Sequence, residues 1–262
     1  MPSSDIDDST HHTANAFDAA LIYTFAEQSK FFARAGTAYR FPFIDEQISY
    51  IGFGADEMYQ DLDMEKGQNY EIGTELFLLE NLRMGLTLFL LDIKDQIAWN
   101  NATYKNENLD DTRHMGAEAS AVYSFADLYK ITTSYTYTQT EFTKGEFDCN
   151  DVPLVPNHKV SVDGTWFLPF NLSVNAGCTY ISKQYLGGDN ANTSEKLSDY
   201  TVVDLALRYR HEFIKSVDIE AFARIENIFN EKYASVGYRG WTEDAYYPSP
   251  DRTFKVGIAC RF

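Results

Sequence analysis

The sequence predicts an all-β fold: a transmembrane β-barrel of antiparallel, up-and-down strands. Three observations lead to this prediction. Apolar residues recur at alternate positions, aromatic residues make up 15% of the 262 residues, and short and long connections alternate along the chain. A run of about eighteen apolar residues is missing, so no transmembrane helix is expected. The negative mean hydropathy is compatible with a barrel, because a barrel strand exposes only alternate side chains to lipid.

The alternation is clearest in the second half of the chain. Val203, Leu205 and Leu207 alternate with Asp204 and Arg208. A strand sorts these apolar and polar side chains onto opposite faces, whereas a helix would scatter them. The same pattern predicts eleven strands, most of them long enough to cross a bilayer at a tilt, which takes about 9–11 residues. The predicted strands cover residues 15–26, 30–40, 68–79, 82–100, 112–125, 128–144, 157–167, 170–186, 199–211, 217–228 and 252–262.

The connections between these strands alternate strictly between short and long. In an up-and-down meander, successive connections lie at opposite rims, and outer-membrane barrels have tight periplasmic turns and long extracellular loops. A soluble β-sandwich has no reason to segregate loop length in this way, so the pattern favours the barrel. The short turns centre on Glu27–Ser29, Glu80–Asn81, Ala126–Asp127, Leu168–Pro169 and Glu212–Lys215, and the long loops cover 41–67, 102–111, 145–156, 187–198 and 229–251.

The two faces of the predicted strands differ in chemistry. Aromatic residues near the short turns predict an interfacial girdle on the periplasmic side. The polar faces predict a lumen, because an ionised group in hydrocarbon costs about 2–4 kcal/mol near the midplane. The girdle residues are Tyr23, Phe25, Phe31, Phe125, Tyr129, Phe167, Phe170 and Phe213, and the lumen residues include Arg34, Arg40, Glu71, Glu75, His114, Glu118, Thr136, Lys159 and Asp163.

Charge and motif content exclude several classes of function. The formal net charge of −17 makes a nucleic acid an unfavourable partner. Cys149, Cys178 and Cys260 lack the number and spacing of a disulfide framework or a zinc site. The adjacent His11 and His12 are expected to be solvated, and no metal or other cofactor is predicted. Because there is no nucleophile elbow, Walker loop, metalloprotease pair or dinucleotide fingerprint, we expect a protein that is not an enzyme.

The first residues differ from the rest of the sequence. Residues 1–16 contain neither a basic region nor an apolar stretch, so no secretory signal peptide is predicted. Since the remainder has the pattern of an exported protein, we expect the chain to be a fragment or the product of a mis-started reading frame. The expected division is 1–13 as a loop remnant or disordered start, and 14–262 as barrel strands.

Arg40, Pro42 and Glu46 carry the first resemblance to a known family. Their stretch resembles the Arg-x-Pro-x-x-x-Glu motif of TonB-dependent receptors, which follows a mid-barrel strand and opens a long extracellular loop. It has the same position here. The chain also ends on Phe262, and outer-membrane proteins commonly end in an aromatic residue that the barrel-assembly machinery reads.

Two later stretches resemble the same family. Asn227, Phe229 and Tyr233 match its Asn-Leu-Phe-(Asp/Asn)-x-x-Tyr signature at the top of the penultimate strand. Arg252 matches the Pro-x-Pro-Gly-Arg entry into the last strand, with Asp251 at the position where glycine is usual. The motifs occur in the family's order, and the resemblance covers essentially residues 14–262.

The resemblance implies the C-terminal half of a TonB-dependent receptor barrel, without its plug domain. Eleven antiparallel strands cannot close on themselves, whereas eleven is half of the 22 strands of the large plugged transporters. The implied function is energy-coupled uptake of a siderophore, cobalamin or similar nutrient across the outer membrane, with TonB acting only through the N-terminal plug. Two alternatives stay open: a passive porin-like channel, and a non-functional remnant of a truncated receptor.

Aromatic residues in two long loops are the candidates for ligand binding. Aromatic faces beside an arginine suit planar catecholate or corrinoid ligands through stacking and cation–π contacts. The alternative is that these side chains only pack the loops near the outer rim. The candidates are Tyr50, Phe53 and Tyr59 in loop 41–67, and Tyr238, Arg239, Trp241, Tyr246 and Tyr247 in loop 229–251.

Overall fold

A single antiparallel sheet of eleven strands, each paired with the next along the chain, dominates the computed structural model. The structure describes residues 11–26, 28–49, 57–58, 62–100, 103, 105–214, 217–240 and 242–261. The predicted all-β meander and its strand number are confirmed. No helix in the described part of the chain is long and apolar enough to cross a membrane. The strands are β1 (Asp18–Phe25), β2 (Ser29–Arg40), β3 (Glu65–Leu79), β4 (Leu82–Lys94), β5 (Thr112–Phe125), β6 (Tyr129–Phe142), β7 (His158–Leu168), β8 (Leu172–Ile181), β9 (Tyr200–Ile214), β10 (Val217–Glu226) and β11 (Thr253–Arg261).

One face of the sheet, here called the inner face, carries most of the polar side chains of the strands. The cross-strand register places Arg34 opposite Glu71, and Glu118 opposite Thr136. This face curls around a cavity of about 770 Å³ that is lined by residues of β1 to β6. The polar side chains that the alternation predicted to share a face therefore lie together on one concave surface.

The opposite face, here called the outer face, presents apolar side chains. Leu205 lies opposite Ile225, which in turn lies opposite Phe254. Phe254 and Val256 in the last strand are 68% and 83% exposed. Nothing in the described chain covers this surface, as expected for a sheet whose outer face contacts lipid.

Aromatic side chains stack at the rim of the short turns. The rings of Phe25 and Phe31 are 4.8 Å apart between centroids, and those of Phe125 and Tyr129 are 5.2 Å apart. These pairs place part of the predicted girdle at one rim of the outer face. The side chain of Phe213 lies outside the described residues.

The predicted strand over 82–100 is wrong after Lys94. Strand β4 ends at Lys94, and Asp95 adopts a left-handed backbone with φ of 57°. The chain then forms a separate hairpin in which Ile97–Asn100 pairs with Lys105–Asn108. The prediction over 170–186 is also too long, because Phe170 and Asn171 have positive φ in the preceding turn and β8 ends at Ile181.

The core of the described chain sits at the rim of the long loops. Every buried apolar side chain in the described residues belongs to a long loop or to the strand end that enters one. Two further short hairpins, Ile48–Ser49 with Glu57–Met58 and Ala234–Tyr238 with Ala245–Pro248, extend this rim. These buried side chains are Leu62, Ile97, Phe142, Val152, Leu186 and Leu197.

Candidate functional site: the packed loop layer

Three long connections, 143–157, 182–199 and 227–252, pack together beyond the strand ends and are here called the loop layer. The first two are joined by the amide of Leu154, which donates to the carbonyl of Tyr185 at 3.0 Å. The side-chain amide of Asn192 donates to the carbonyl of Asp151 at 3.0 Å and accepts from its N–H at 2.7 Å. Reciprocal bonds of this kind fix the relative position of two loops.

Asp189 is the polar centre of the loop layer and is 1% exposed. Its carboxylate accepts from the hydroxyl and N–H of Ser194 at 2.5 and 2.9 Å, and from the N–H of Thr193 at 3.1 Å. Arg239, on the third connection, donates to it at 2.7 Å. Burial raises the pKa of Asp189, but the bonds from Ser194 and Thr193, with the charge of Arg239, outweigh burial and hold that pKa below its usual value.

The hairpin that carries Arg239 docks on the second connection through two glycines. The N–H of Gly187 donates to the carbonyl of Gly237 at 2.9 Å, and the N–H of Arg239 donates to the carbonyl of Gly187 at 2.9 Å. A Cβ on Gly187 would lie 2.5 Å from the ring of Tyr238, and one on Gly237 would lie 2.8 Å from Leu186. A side chain at either position would have to displace its neighbour, so glycine suits this close approach.

The hairpin presents three of the predicted ligand-binding tyrosines. Tyr238, Tyr246 and Tyr247 are 37%, 54% and 61% exposed. Tyr238 and Tyr247 meet edge to face with ring centroids 6.0 Å apart. The fourth described candidate, Arg239, also donates to the hydroxyl of Thr193 at 2.7 Å, so its guanidinium joins two loops. The other candidates, Tyr50, Phe53, Tyr59 and Trp241, lie outside the described residues.

The motif that begins at Arg40 anchors the start of the first long loop. Arg40 donates to both carboxylate oxygens of Glu46 at 2.8 Å and to Glu65 at 2.7 and 2.9 Å. Glu46 also accepts from the N–H of Phe43 at 2.8 Å, and Glu65 from that of Ile97 at 2.8 Å. The alternation pattern predicts Arg40 on the inner face, and the motif contains both Arg40 and Glu46. Neither ion pair of Arg40, with Glu46 or with Glu65, was predicted.

The motif that begins at Asn227 anchors the last long loop. Asn227 is 4% exposed and left-handed, with φ of 54°. Its side-chain oxygen accepts from the N–H of Glu231 at 2.8 Å, and its side-chain nitrogen donates to the carbonyl of Glu231 at 2.9 Å. Its own N–H donates to Asp204 on β9 at 2.9 Å. The asparagine therefore sets the turn and ties it to the neighbouring strand.

The remaining motif residues lie around this turn. Tyr233 stacks on Tyr200 with ring centroids 4.2 Å apart, whereas Phe229 is 74% exposed. The N–H of Arg252 donates to the side chain of Asn230 at 2.9 Å. Phe262 lies outside the described residues.

The sequence analysis did not identify two acids that hold the loops, Asp189 and Asp204, as site residues. The only sequence signal for Asp189 was the pair of glycines before it.

Comparison with known proteins gives a consistent picture. The family model described as "TonB dependent receptor-like, beta-barrel" matches residues 3–228. The catecholate siderophore receptor Fiu of Escherichia coli K12 is 26% identical over 82% of this chain and 28% of its own length. The vitamin B12 transporter BtuB of Photobacterium profundum is 26% identical over 95% of this chain and 39% of its own.

A solved structure agrees in fold. The unliganded ferric citrate transporter FecA superposes with a TM-score of 0.74 at 20% identity, over 95% of this chain and 38% of that one. The chain thus spans roughly a quarter to two fifths of the length of such proteins. Within the described residues, no cluster of His, Cys, Asp and Glu is placed to hold a metal ion. With its eleven-stranded sheet and the match over residues 3–228, the chain belongs to the family of TonB-dependent receptor β-barrels.

Proposed function

We propose that this chain is the C-terminal barrel part of an outer-membrane receptor that takes up an iron–siderophore or a similar scarce nutrient. The observation that carries the proposal is the loop layer, which holds exposed tyrosines in fixed positions at one rim of a polar, concave inner face. A ligand held at this rim lies at the entrance of the path that the inner face lines. The role is binding and transport, not catalysis.

The ligand class follows from the chemistry of the hairpin. Tyr246 and Tyr247 have exposed rings, and the hairpin that carries them is hydrogen-bonded through its backbone to connection 182–199. Rigid aromatic faces bind planar, conjugated ligands at a low cost in conformational entropy. A ferric catecholate fits this description and would match the similarity to the catecholate siderophore receptor Fiu, and a corrinoid would match the similarity to the vitamin B12 transporter BtuB.

The proposed partners follow from the family. TonB would act through the plug domain of the receptor, and the barrel-assembly machinery would read Phe262. The outer face would contact membrane lipid. The net charge of −17 disfavours a nucleic acid.

Uptake of a radiolabelled ferric catecholate and of radiolabelled cobalamin tests the proposal. The gene, with its natural upstream sequence, is expressed in cells that lack their own catecholate receptors, with and without TonB. We expect TonB-dependent uptake of a ferric catecholate or, failing that, of cobalamin. Diffusion of small solutes that does not need TonB would instead indicate a passive channel. An assembled protein that carries neither ligand would indicate a remnant.

A further inference from the structure

Cations on the outer face are confined to one place. The register from β1 to β11 puts nearly all Lys and Arg side chains of the described strands on the inner face. The exceptions are Lys66 on β3, Lys94 on β4 and Arg113 on β5. These strands are neighbours, and all three residues lie near the long-loop rim. The cations of the outer face therefore lie together in one patch, beside the acids Asp92 and Asp111.

Lys66 and Lys94 lie directly opposite each other. Side chains in this relation have Cβ atoms about 4.5–5.5 Å apart, and like charges there are destabilising. Both side chains are exposed, and neither makes an ion pair with a carboxylate in the described part of the chain. Two ammonium groups on neighbouring side chains, without an acidic partner in the described residues, are complementary to an anion that bridges them.

The two acids that line the cleft over this patch are already engaged. Asp92, two residues before Lys94, receives two bonds from Arg113 at 2.7 and 3.1 Å. Asp111, which precedes β5, pairs with Lys144 at 2.7 Å. Both pairs leave the two lysines without a neutralising partner. An open cleft of about 650 Å³ lies over this patch. It is lined by both lysines and Tyr39, by the paired side chains of Asp92, Arg113, Asp111 and Lys144, and by residues 13–15 before β1.

The patch lies next to the apolar band. From Lys66 toward the short-turn end of β3, the next residues on the outer face are Gln68, Tyr70 and Ile72. The side chain of Ile72 is 57% exposed. Tyr39 lies opposite Lys66 on β2. Tyrosine is typical of the boundary between the hydrocarbon and the headgroups of a membrane. Two residues of a strand span about 7 Å, so Lys66 lies only a short distance beyond Tyr70. The two lysines thus lie at the level of lipid headgroups.

We propose that Lys66 and Lys94 bind a phosphate of a membrane lipid headgroup, with Tyr39 beside them and the acyl chains along the apolar rows below. The proposal rests on the membrane location of the barrel, and not on its transport activity. A phosphate between the lysines removes their mutual repulsion and gains two charge-assisted hydrogen bonds. The interaction fixes a lipid at one side of the barrel.

Native mass spectrometry of the protein purified from outer membranes tests this site. Bis-phosphorylated lipid A is titrated against the wild type and against the Lys66→Gln/Lys94→Gln variant. We expect the variant to bind at least fivefold more weakly. The matched control is Lys130→Gln/Lys159→Gln, which makes the same change of charge on the inner face and is expected to stay within twofold of the wild type.

Two further measurements test whether the phosphate is the group that the lysines bind. Lys66→Arg/Lys94→Arg keeps the charges and is expected to bind like the wild type, and lipid A without its phosphates is expected to bind the wild type and the Gln variant equally. Equal affinity of the wild type and the Gln variant for bis-phosphorylated lipid A, or an equal loss in the inner-face control, would overturn the proposal. Since only lipid binding is read, neither result depends on whether the protein transports a nutrient.

Discussion

At the long-loop rim, Phe142 and Leu186 are each 1% exposed, whereas on the outer face of the sheet Leu205 and Val256 are 36% and 83% exposed. The rim has its own small core, with side-chain hydrogen bonds between loops. The sheet within the described residues has cross-strand pairing but no covering layer. The rim can therefore be ordered by contacts within the chain, and the sheet depends on its surroundings for burial of its apolar side chains.

This difference explains where polar and apolar substitutions should matter. In the sheet, the effect of a substitution on assembly depends on the face that carries it, because the outer face would contact lipid and the inner face water or protein. In the loop layer, the effect of a substitution on stability depends on the contacts of that one residue, because few side chains hold the loops together.

The largest effect is expected for Leu205→Arg on the outer face. A charge there meets hydrocarbon and costs about 2–4 kcal/mol near the midplane, so the assembled fraction should fall sharply. The matched change, Ala206→Arg, places the same side chain on the inner face and should assemble nearly as the wild type does. Heat-modifiable migration on gels measures the assembled fraction. Equal losses would show that the two faces are assigned wrongly.

A smaller loss is expected for Asp189→Ala in the loop layer. The change leaves the donors of Ser194, Thr193 and Arg239 without their acceptor and should destabilise the loops by about 2–3 kcal/mol. Limited trypsin digestion of the assembled protein should then cut the loop layer at least tenfold faster. Asp251→Ala removes an exposed pair with Lys232 and is expected to change the rate less than threefold. Similar rates in both variants would contradict the role of Asp189.

Gly187→Ala tests the contact between the two loops. The added methyl group would meet the ring of Tyr238 at 2.5 Å, and overpacking of this kind costs about 1–3 kcal/mol. The hairpin should separate from its neighbour, which faster hydrogen exchange at the N–H groups of Gly187 and Arg239 would report. Gly164→Ala is the control, since its nearest neighbour would be 3.6 Å away. Unchanged exchange in Gly187→Ala would show that the hairpin does not depend on this contact.

The smallest effect is expected from pH. Because the pKa of Asp189 is lowered in the folded loops, its contribution to stability is complete above the ordinary carboxyl pKa of about 4 and is lost as the pH falls through the folded value. Proteolysis of the loop layer by a protease active over this range should be constant from about pH 7 to pH 5 and rise only in stronger acid. In Asp189→Ala the acid-dependent rise should be reduced. A rise already between pH 7 and pH 5 would point to another group.

The sequence predicts regular strands well and their ends less well. Strand β5, Thr112–Phe125, coincides with its predicted range, because polar loop residues and a tight turn bound its alternation. The alternation at 82–100 continues past the true end of β4. The break is made by Asp95 in a left-handed conformation, which aspartate tolerates but does not require.

The loop contacts were predictable only in part. The motif contains both Arg40 and Glu46, which lie six residues apart, but their ion pair was not predicted. The second partner, Glu65, is 25 residues from Arg40 and meets it through the register of β2 and β3. Asp189 looks like an ordinary acid of a polar loop in the sequence. Its burial follows from the packing of two other connections against it, and such long-range packing leaves no local pattern.

The most direct test is the TonB-dependent uptake of a ferric catecholate by the Tyr246→Ala/Tyr247→Ala variant. The control is Phe170→Ala, which removes an 86% exposed ring at the opposite rim. With both variants assembled to the same level, we expect the apparent KM of the tyrosine variant to rise at least fivefold, and that of the control to stay within twofold of the wild type. An unchanged KM in the tyrosine variant, or uptake that persists without TonB, would contradict the account of the loop layer as the ligand-binding rim of a TonB-dependent receptor.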